Sequence, residues 1–121
     1  MNQFLGRPFT TLFAAIGLYC LVATASAADY ALNTVAQQME EPWSLAQMPD
    51  GTFLVTLRGG RLLHISEGGV ATEVQGVPDT YYAGQGGFFD ILLHPDFSNN
   101  RTVYLSYAHG TPEANGTAIT R

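Results

Sequence analysis

A glutamine surrounded by glycines is the feature of this sequence whose chemistry best suits the binding of a polar ligand. Gln85 stands in the segment AGQGG at residues 83–87, where residues without side chains let the backbone pass close to a ligand. A carboxamide both donates and accepts hydrogen bonds, so Gln85 could bind hydroxyl or carbonyl groups. A solvated glutamine in a turn is the alternative interpretation of the same residues.

The three histidines of the sequence do not form a catalytic or metal-binding set. His64 and His109 have no carboxylate at ligand spacing, so no metal site is predicted. His94 precedes Pro95 at the end of an apolar run, which favours a structural role over that of a base. Asp90 lies within that run and is predicted to be a hydrogen-bonded strand residue, because a buried charge must find partners. The sequence therefore predicts no catalytic residue and no metal ligand in this chain.

The first 27 residues predict an export signal. A single early charge, Arg7, precedes an apolar run at residues 12–23, and the small residues Ala25-Ser26-Ala27 suit signal peptidase. We expect cleavage after Ala27 and a periplasmic or secreted protein. A membrane anchor is the alternative, although the run is short for a span.

Composition and charge limit the classes of protein and of partner that fit the mature chain, residues 28–121. Of the whole sequence, 46% is hydrophobic and 12% charged, so a disordered tail is excluded. The mature part holds all ten acidic residues, four arginines and no lysine, a net charge of −6. Such an acidic surface repels phosphate backbones, which argues against nucleic acid as a partner. The single cysteine leaves with the signal, so disulfides cannot stabilise the fold.

The mature chain is predicted to be all-β. Short alternating runs separated by Gly, Pro, Asp and Asn begin at Pro42, as is typical of antiparallel sheets. Four strands joined by tight turns form a meander, with Phe53, Val55 and Leu57 on one face and Leu54 and Thr56 on the other. The strand sequences are WSLAQM, TFLVTLR, RLLHIS and VATEVQGV. No helix is predicted after the signal.

The chain also repeats itself. The turn at Pro49-Asp50 matches the turn at Pro95-Asp96, 46 positions later, with a longer loop at residues 98–100 in the second copy. This period is typical of the four-stranded blades of a β-propeller. The first repeat covers about residues 42–78 and the second, incomplete, about 84–121. A small β-sandwich with two similar turns is the alternative.

In a propeller the near-continuous apolar run FFDILL at residues 88–93 would be an inner strand, covered by apolar neighbours on both faces. Gln85 would then lie in the connection from one blade to the next, at the mouth of the axial channel. Trp43 and the pair Tyr81-Tyr82 could stack on a sugar, although such aromatic residues more often fill the gaps between blades.

Two stretches resemble the soluble glucose and aldose sugar dehydrogenases that depend on pyrroloquinoline quinone (PQQ), which are six-bladed propellers. The stretches are PWSLAQMPDGTFLVTLRGGRLLHI and GQGGFFDILLHPDFSNNRTVYLSYAHG. The resemblance covers residues 42–121 and is to the N-terminal part of the bacterial aldose sugar dehydrogenases. One departure is Leu57, where relatives often have an acidic residue before the arginine.

The resemblance implies a quinoprotein that oxidises aldoses at C1, passes a hydride to PQQ and delivers electrons to an external acceptor. Of the family's functional residues only Gln85 has a counterpart here, as a contact to the cofactor and sugar pocket. The histidine base and the calcium ligands are expected outside this chain, so the fragment itself should be inactive. Two other functions remain open, a sugar-lactone hydrolase-type propeller and a non-catalytic binding propeller, since propellers carry many functions.

Overall fold

The computed structural model describes residues 30–121, and the predicted export signal lies outside the described residues. Within that range the chain forms seven strands and one short helix. Their bounds are β1 Pro42–Gln47, β2 Phe53–Leu57, β3 Arg61–Ile65, β4 Ala71–Val74, β5 Phe88–Leu93, α1 Phe97–Asn100, β6 Val103–Gly110 and β7 Asn115–Thr120. Between residues 30 and 121, no helix has the length and apolarity to cross a bilayer.

The first sheet is a four-stranded antiparallel meander in the order β1-β2-β3-β4, as predicted. The β1–β2 turn closes when the Gly51 N–H donates to the Met48 carbonyl at 3.0 Å, and Gly51 takes a φ of +84° that favours glycine. Val55 pairs with Leu63 across the β2–β3 ladder. β1 has the six residues that the sequence pattern indicated but begins one residue earlier, whereas β2, β3 and β4 are shorter than predicted, because the ends of the predicted runs lie in turns and connections.

The second sheet contains three antiparallel strands in the order β5-β6-β7. The long loop after Pro95 was predicted without a helix, and this was wrong, because residues Phe97–Asn100 form one helical turn. Phe97 is buried and anchors the turn. The backbone N–H groups of Asn99 and Asn100 both donate to the Asp96 carbonyl at 3.0 Å. Arg101 ends the turn with a left-handed φ of 52°.

Apolar clusters cover both faces of β2. One face packs against the second sheet through a cluster of five buried residues, Leu54, Leu62, Phe88, Ile91 and Leu105. The other face holds Val55, Leu57, Leu63 and Ile65, with Ala36, Met39 and Phe53 packed against them. The predicted alternation along β2 is therefore confirmed, and it follows from the two-residue period of a strand.

Polar contacts join the two sheets beside this core. Thr56 is fully buried, and its hydroxyl donates to the Phe89 carbonyl at 2.7 Å. The same oxygen accepts the Ser44 N–H at 3.1 Å. The Trp43 and Phe89 rings lie 5.9 Å apart, so one side of Trp43 contacts the second sheet while half of the residue stays exposed.

The expected covering of β5 on both faces is not found among the described residues. Phe88 and Ile91 are buried against the first sheet, while Leu92 is 65% exposed. Asp90 is also exposed, and its backbone N–H donates to the Ser106 hydroxyl at 3.0 Å, so the predicted hydrogen bond of this residue is made by its backbone and its carboxylate is not buried. Residues 30–121 thus cover only the face of β5 that meets the first sheet.

Candidate functional site

Gln85 lies in the connection from β4 of the first sheet to β5 of the second, where the sequence placed it. The Gly86 N–H donates to the Ala83 carbonyl at 2.7 Å and closes a four-residue turn. Gly84 has a φ of +55°, as at the first central position of a type II′ turn. Gln85 occupies the second central position, and its side chain is exposed. The turn therefore presents the amide of Gln85 to solvent.

The three glycines around Gln85 have different roles. A Cβ on Gly84 would meet no atom within 4 Å, so this residue borders open space. A Cβ on Gly86 would lie 2.6 Å from the Tyr81 carbonyl oxygen, and one on Gly87 would clash with the Arg58 carbonyl. The missing side chains of Gly86 and Gly87 are thus required by the protein's own backbone, and only Gly84 borders open space.

The second sheet holds the loop through Ala108. The Ala108 carbonyl accepts the Tyr81 N–H at 2.8 Å and the Thr80 hydroxyl at 2.9 Å. The Ala108 N–H donates to the Gly87 carbonyl at 2.8 Å. These bonds continue the β5–β6 ladder into the loop and fix both of its ends.

The first sheet holds the same loop through Arg58, which directly follows β2. One guanidinium nitrogen of Arg58 donates to the Gly84 carbonyl at 2.9 Å. The Arg58 backbone carbonyl accepts the Phe88 N–H at 3.0 Å. Arg58 therefore contacts the loop on both sides of Gln85.

Glu41 and Tyr82 hold the Arg58 guanidinium. Its second nitrogen donates to Glu41 Oε1 at 2.8 Å, and the group lies 5.0 Å from the centre of the Tyr82 ring. The Tyr82 hydroxyl donates to Glu41 Oε2 at 2.6 Å. The hydrogen bond from Tyr82, followed by that from Arg58, lowers the pKa of Glu41, so Glu41 is ionised at neutral pH.

Sequence reasoning did not find this polar cluster of Arg58, Glu41 and Tyr82. The three residues come from the segment before β1, the β2–β3 turn and the β4–β5 connection. No spacing within the chain signals their proximity. For Tyr82 the sequence predicts only a sugar-stacking or gap-filling role.

The histidines make the contacts of structural residues. His94 Nδ1 accepts the Asp96 N–H at 2.9 Å and lies 2.9 Å from Asn100 Nδ2, which ties it to the helical turn. His64 Nε2 lies 3.1 Å from the Thr52 hydroxyl. Across residues 30–121, no group of three or more His, Cys, Asp or Glu side chains is placed to hold a metal ion.

The sequence of the two sheets and of the loop between them identifies the protein family. The family model for Glucose / Sorbosone dehydrogenase matches residues 39–121, which include both sheets, the Gln85 loop and the Arg58 cluster. The chain belongs to this glucose/sorbosone dehydrogenase family.

Two curated relatives carry dehydrogenase names. Aldose sugar dehydrogenase YliI of Escherichia coli is 40% identical over 112 residues, which are 88% of this chain and 30% of that protein. Quinoprotein glucose dehydrogenase B of Acinetobacter calcoaceticus is 28% identical over 96 residues, 76% of this chain and 20% of that protein. The chain thus spans less than a third of the length of these relatives.

Solved structures agree with the fold. The soluble aldose sugar dehydrogenase of Escherichia coli in its apo-form superposes with a TM-score of 0.63 at 43% identity, over 67% of this chain and 24% of that one. The PQQ-bound aldose sugar dehydrogenase of Streptomyces coelicolor gives 0.64 at 30% identity, over 74% and 27%. The all-β class with antiparallel sheets is therefore confirmed.

Proposed function

We propose that this chain is the N-terminal part of a quinoprotein oxidoreductase that oxidises aldose sugars at C1 with PQQ as hydride acceptor. The observation that carries the proposal is the likeness to the PQQ-bound aldose sugar dehydrogenase of Streptomyces coelicolor along 74% of this chain. The identity of 40% with the Escherichia coli aldose sugar dehydrogenase supports the choice of aldoses as substrates.

The proposed architecture is a six-bladed propeller. The four-stranded sheet is its first blade, and the sheet of β5, β6 and β7 begins its second. Two features support this assignment: the sheets pack face to face through one apolar cluster, and equivalent Pro-Asp turns follow β1 and β5. Stacked blades of equal period bury their faces against one another in this way.

The Gln85 loop fits one contact to the cofactor or the sugar. Its exposed carboxamide can donate to a quinone carbonyl and accept from a sugar hydroxyl, and Gly84 borders open space beside it. Bound PQQ would supply the two-electron chemistry, and an external acceptor would reoxidise it. Gln85 would orient the cofactor or the sugar, and correct orientation of the reactants raises the reaction rate even where the residue itself transfers no proton.

The remaining parts of the active site are proposed to lie outside this chain. Aldose oxidation releases a hydride and a proton, and the proton requires a base within reach. His94 is held by Asp96 and Asn100, and the guanidinium of Arg58 is paired with Glu41. The histidine base, the cationic partners of PQQ and the calcium ligands would therefore come from later blades.

Activity of the complete polypeptide tests this function. The purified apoprotein, supplied with calcium, PQQ and glucose, should reduce an artificial electron-accepting dye only when all three are present. Dye reduction that does not need PQQ, or none with any aldose, would exclude a quinoprotein aldose dehydrogenase. Release of a free acid from a sugar lactone would instead support the hydrolase alternative.

We also propose that the protein is exported to the periplasm or secreted. Arg7, the apolar run and Ala25-Ser26-Ala27 support this localisation. N-terminal sequencing of the exported protein should begin within two residues of Ala28, whereas a start at Met1 would contradict it.

A further inference from the structure

The peptide that joins Gly84 to Gln85 is held from another part of the chain. The turn itself uses the Ala83 carbonyl and the Gly86 N–H, which leaves the Gly84 carbonyl, in the central peptide, available to an outside donor. The Arg58 guanidinium is that donor, at 2.9 Å. Because this carbonyl belongs to the peptide that precedes Gln85, the Arg58 bond sets the direction in which the Gln85 side chain leaves the backbone.

Glycine makes this outside contact important. Gly84 has a positive φ and free space around its α-carbon, so its own sterics restrain the central peptide little. A peptide next to such a residue can rotate unless a hydrogen bond opposes the rotation. The charged donor of Arg58 opposes it more strongly than a neutral donor would.

The Arg58 guanidinium is itself fixed on its other sides. Glu41 accepts from it at 2.8 Å, Tyr82 stacks on it at 5.0 Å, and Tyr82 closes the triangle by donating to Glu41. The side chain of Arg58 is 21% exposed, whereas that of Arg61, in the ion pair with Glu73, is 50% exposed. The carboxylates of the two pairs are similarly exposed, Glu41 at 48% and Glu73 at 43%, so the difference between the pairs is the closer packing of the Arg58 side chain, which restricts where its guanidinium can lie.

We propose that Arg58, Glu41 and Tyr82 form a clamp that positions Gln85 for PQQ or sugar. This inference rests on the proposed dehydrogenase function. The clamp residues act through Gln85 and are positioning residues, with Arg58 as the member that reaches the loop. Glu41 and Tyr82 orient the guanidinium so that one nitrogen faces the Gly84 carbonyl.

The central test compares Arg58→Met with Arg61→Met in the complete polypeptide. Methionine keeps an unbranched apolar stem and removes the donors. Arg61 is a matched control, because it also forms a 2.8 Å ion pair in the first sheet, with Glu73. Two quantities are measured for each variant: the Kd for PQQ of the calcium-loaded apoprotein by calorimetry, and kcat/KM for glucose by dye reduction.

We expect Arg58→Met to weaken PQQ binding or lower kcat/KM by roughly tenfold, since small misplacements of a binding group cost one to two orders of magnitude. Arg61→Met should stay within about twofold of the wild type, as an exposed ion pair is worth little. Arg58→Lys keeps the charge but replaces the planar guanidinium, which reaches Gly84 and Glu41 through two different nitrogens, with a single ammonium nitrogen, so its loss should be intermediate.

A double-mutant cycle with Gln85→Ala separates positioning from general stability. If Arg58 acts through Gln85, the variant carrying both Arg58→Met and Gln85→Ala should be no worse than Gln85→Ala alone, within about twofold. Multiplied losses would overturn the clamp, because they would show that Arg58 acts independently of Gln85. If Arg58→Met fails to fold, Tyr82→Phe replaces it in the cycle, because this change keeps the ring and removes only the hydroxyl. Losses of Tyr82→Phe and Gln85→Ala that multiply would then overturn the clamp.

Hydrogen exchange gives a readout that does not depend on activity. The Gly86 amide should exchange about tenfold faster in Arg58→Met than in the wild type, because the turn that protects it loses its outside support. Unchanged exchange together with unchanged PQQ affinity would overturn the clamp. Wild-type dehydrogenase activity with no effect of any clamp variant would reject only the clamp, whereas a wild type inactive with PQQ would reject the proposed function.

Discussion

Gln85 combines exposure with a fixed backbone, which suits a binding residue. Its side chain is exposed, so its truncation should leave both apolar clusters intact. Its backbone is held by the turn to Ala83 and by Arg58 at the preceding peptide. A loss of function at this residue can therefore be separated from a loss of folding.

Replacing Gln85 with alanine in the complete polypeptide should lower turnover or PQQ affinity by roughly 10- to 100-fold, which corresponds to about 1.5–3 kcal/mol for a polar contact in a closed site. The melting temperature should change little. Titration with PQQ and steady-state kinetics at limiting glucose provide the measurement. Full activity under both limiting conditions would reduce Gln85 to a solvated loop residue.

The ionised state of Glu41 makes the clamp sensitive to acid. Hydrogen bonds from Tyr82 and then Arg58 lower the pKa of Glu41 in the folded protein. A lowered folded-state pKa contributes stability above the unfolded value of about 4.3, and the contribution disappears as the pH falls through the folded pKa. Glu41→Gln should therefore melt at a lower temperature than the wild type near neutral pH.

The gap between the two melting temperatures should narrow as the pH is lowered from about 7 towards 3, because the contribution of the carboxylate is lost as the pH falls through the folded-state pKa of Glu41. Thermal unfolding followed by circular dichroism provides the comparison. A gap independent of pH would show that the carboxylate charge contributes nothing to the clamp.

At the scale of the elements, the β4–β5 connection is shaped by close approaches of backbone. Gly87 has a φ of +150°, and a Cβ there would clash with the Arg58 carbonyl. The Phe88 N–H donates to that same carbonyl, so the backbones at Gly87 and Arg58 cannot separate to make room without losing this hydrogen bond between the two sheets. A side chain at Gly84, in contrast, would meet no other atom within 4 Å and would be disfavoured only by the positive φ of this residue.

Gly87→Ala should thus destabilise the complete protein by more than Gly84→Ala. The second change costs only the left-handed conformation, about 1–2 kcal/mol, while the first adds a steric clash that places it among the severe substitutions, above about 3 kcal/mol. Urea denaturation of the two variants measures the difference. Equal losses would mean that the β5 backbone moves away from Arg58 at no cost.

At the scale of the molecule, residues 30–121 leave apolar surface without a partner. Each sheet has two edge strands, and one face of β5 carries the 65% exposed Leu92. The other large apolar residues exposed on strands are Trp43, Leu45 and Ile119. Repeat units that bury their faces only against one another are stable in groups of about three or more.

The 121-residue chain expressed alone should therefore have no dehydrogenase activity with PQQ, calcium and aldose, and it should self-associate through its open edges. Dye reduction and light scattering after gel filtration check the two parts. A monomer with long-lived protected amides would contradict the structural part. PQQ-dependent dye reduction that vanishes when His94 is replaced would contradict the chemical part and the structural role of that histidine.

Local patterns in the sequence determined the strands and the turns. The two-residue alternation from Phe53 to Leu57 predicted which side chains face each sheet surface, because the period of a strand is a property of the backbone. The glycine-rich segment around Gln85 likewise located the loop between the sheets. The helical turn at Phe97 was missed, since four residues are too few to show a helical period.

Only the tertiary structure decided how the Gln85 loop is held. Glu41, Arg58 and Tyr82 are separated by 17 and 24 positions, and they meet because the first sheet and the β4–β5 connection fold back on each other. It also decided that Gly86 and Gly87 serve the close approach of Tyr81 and Arg58. Contacts between distant segments depend on the packing of whole sheets, and no local pattern encodes them.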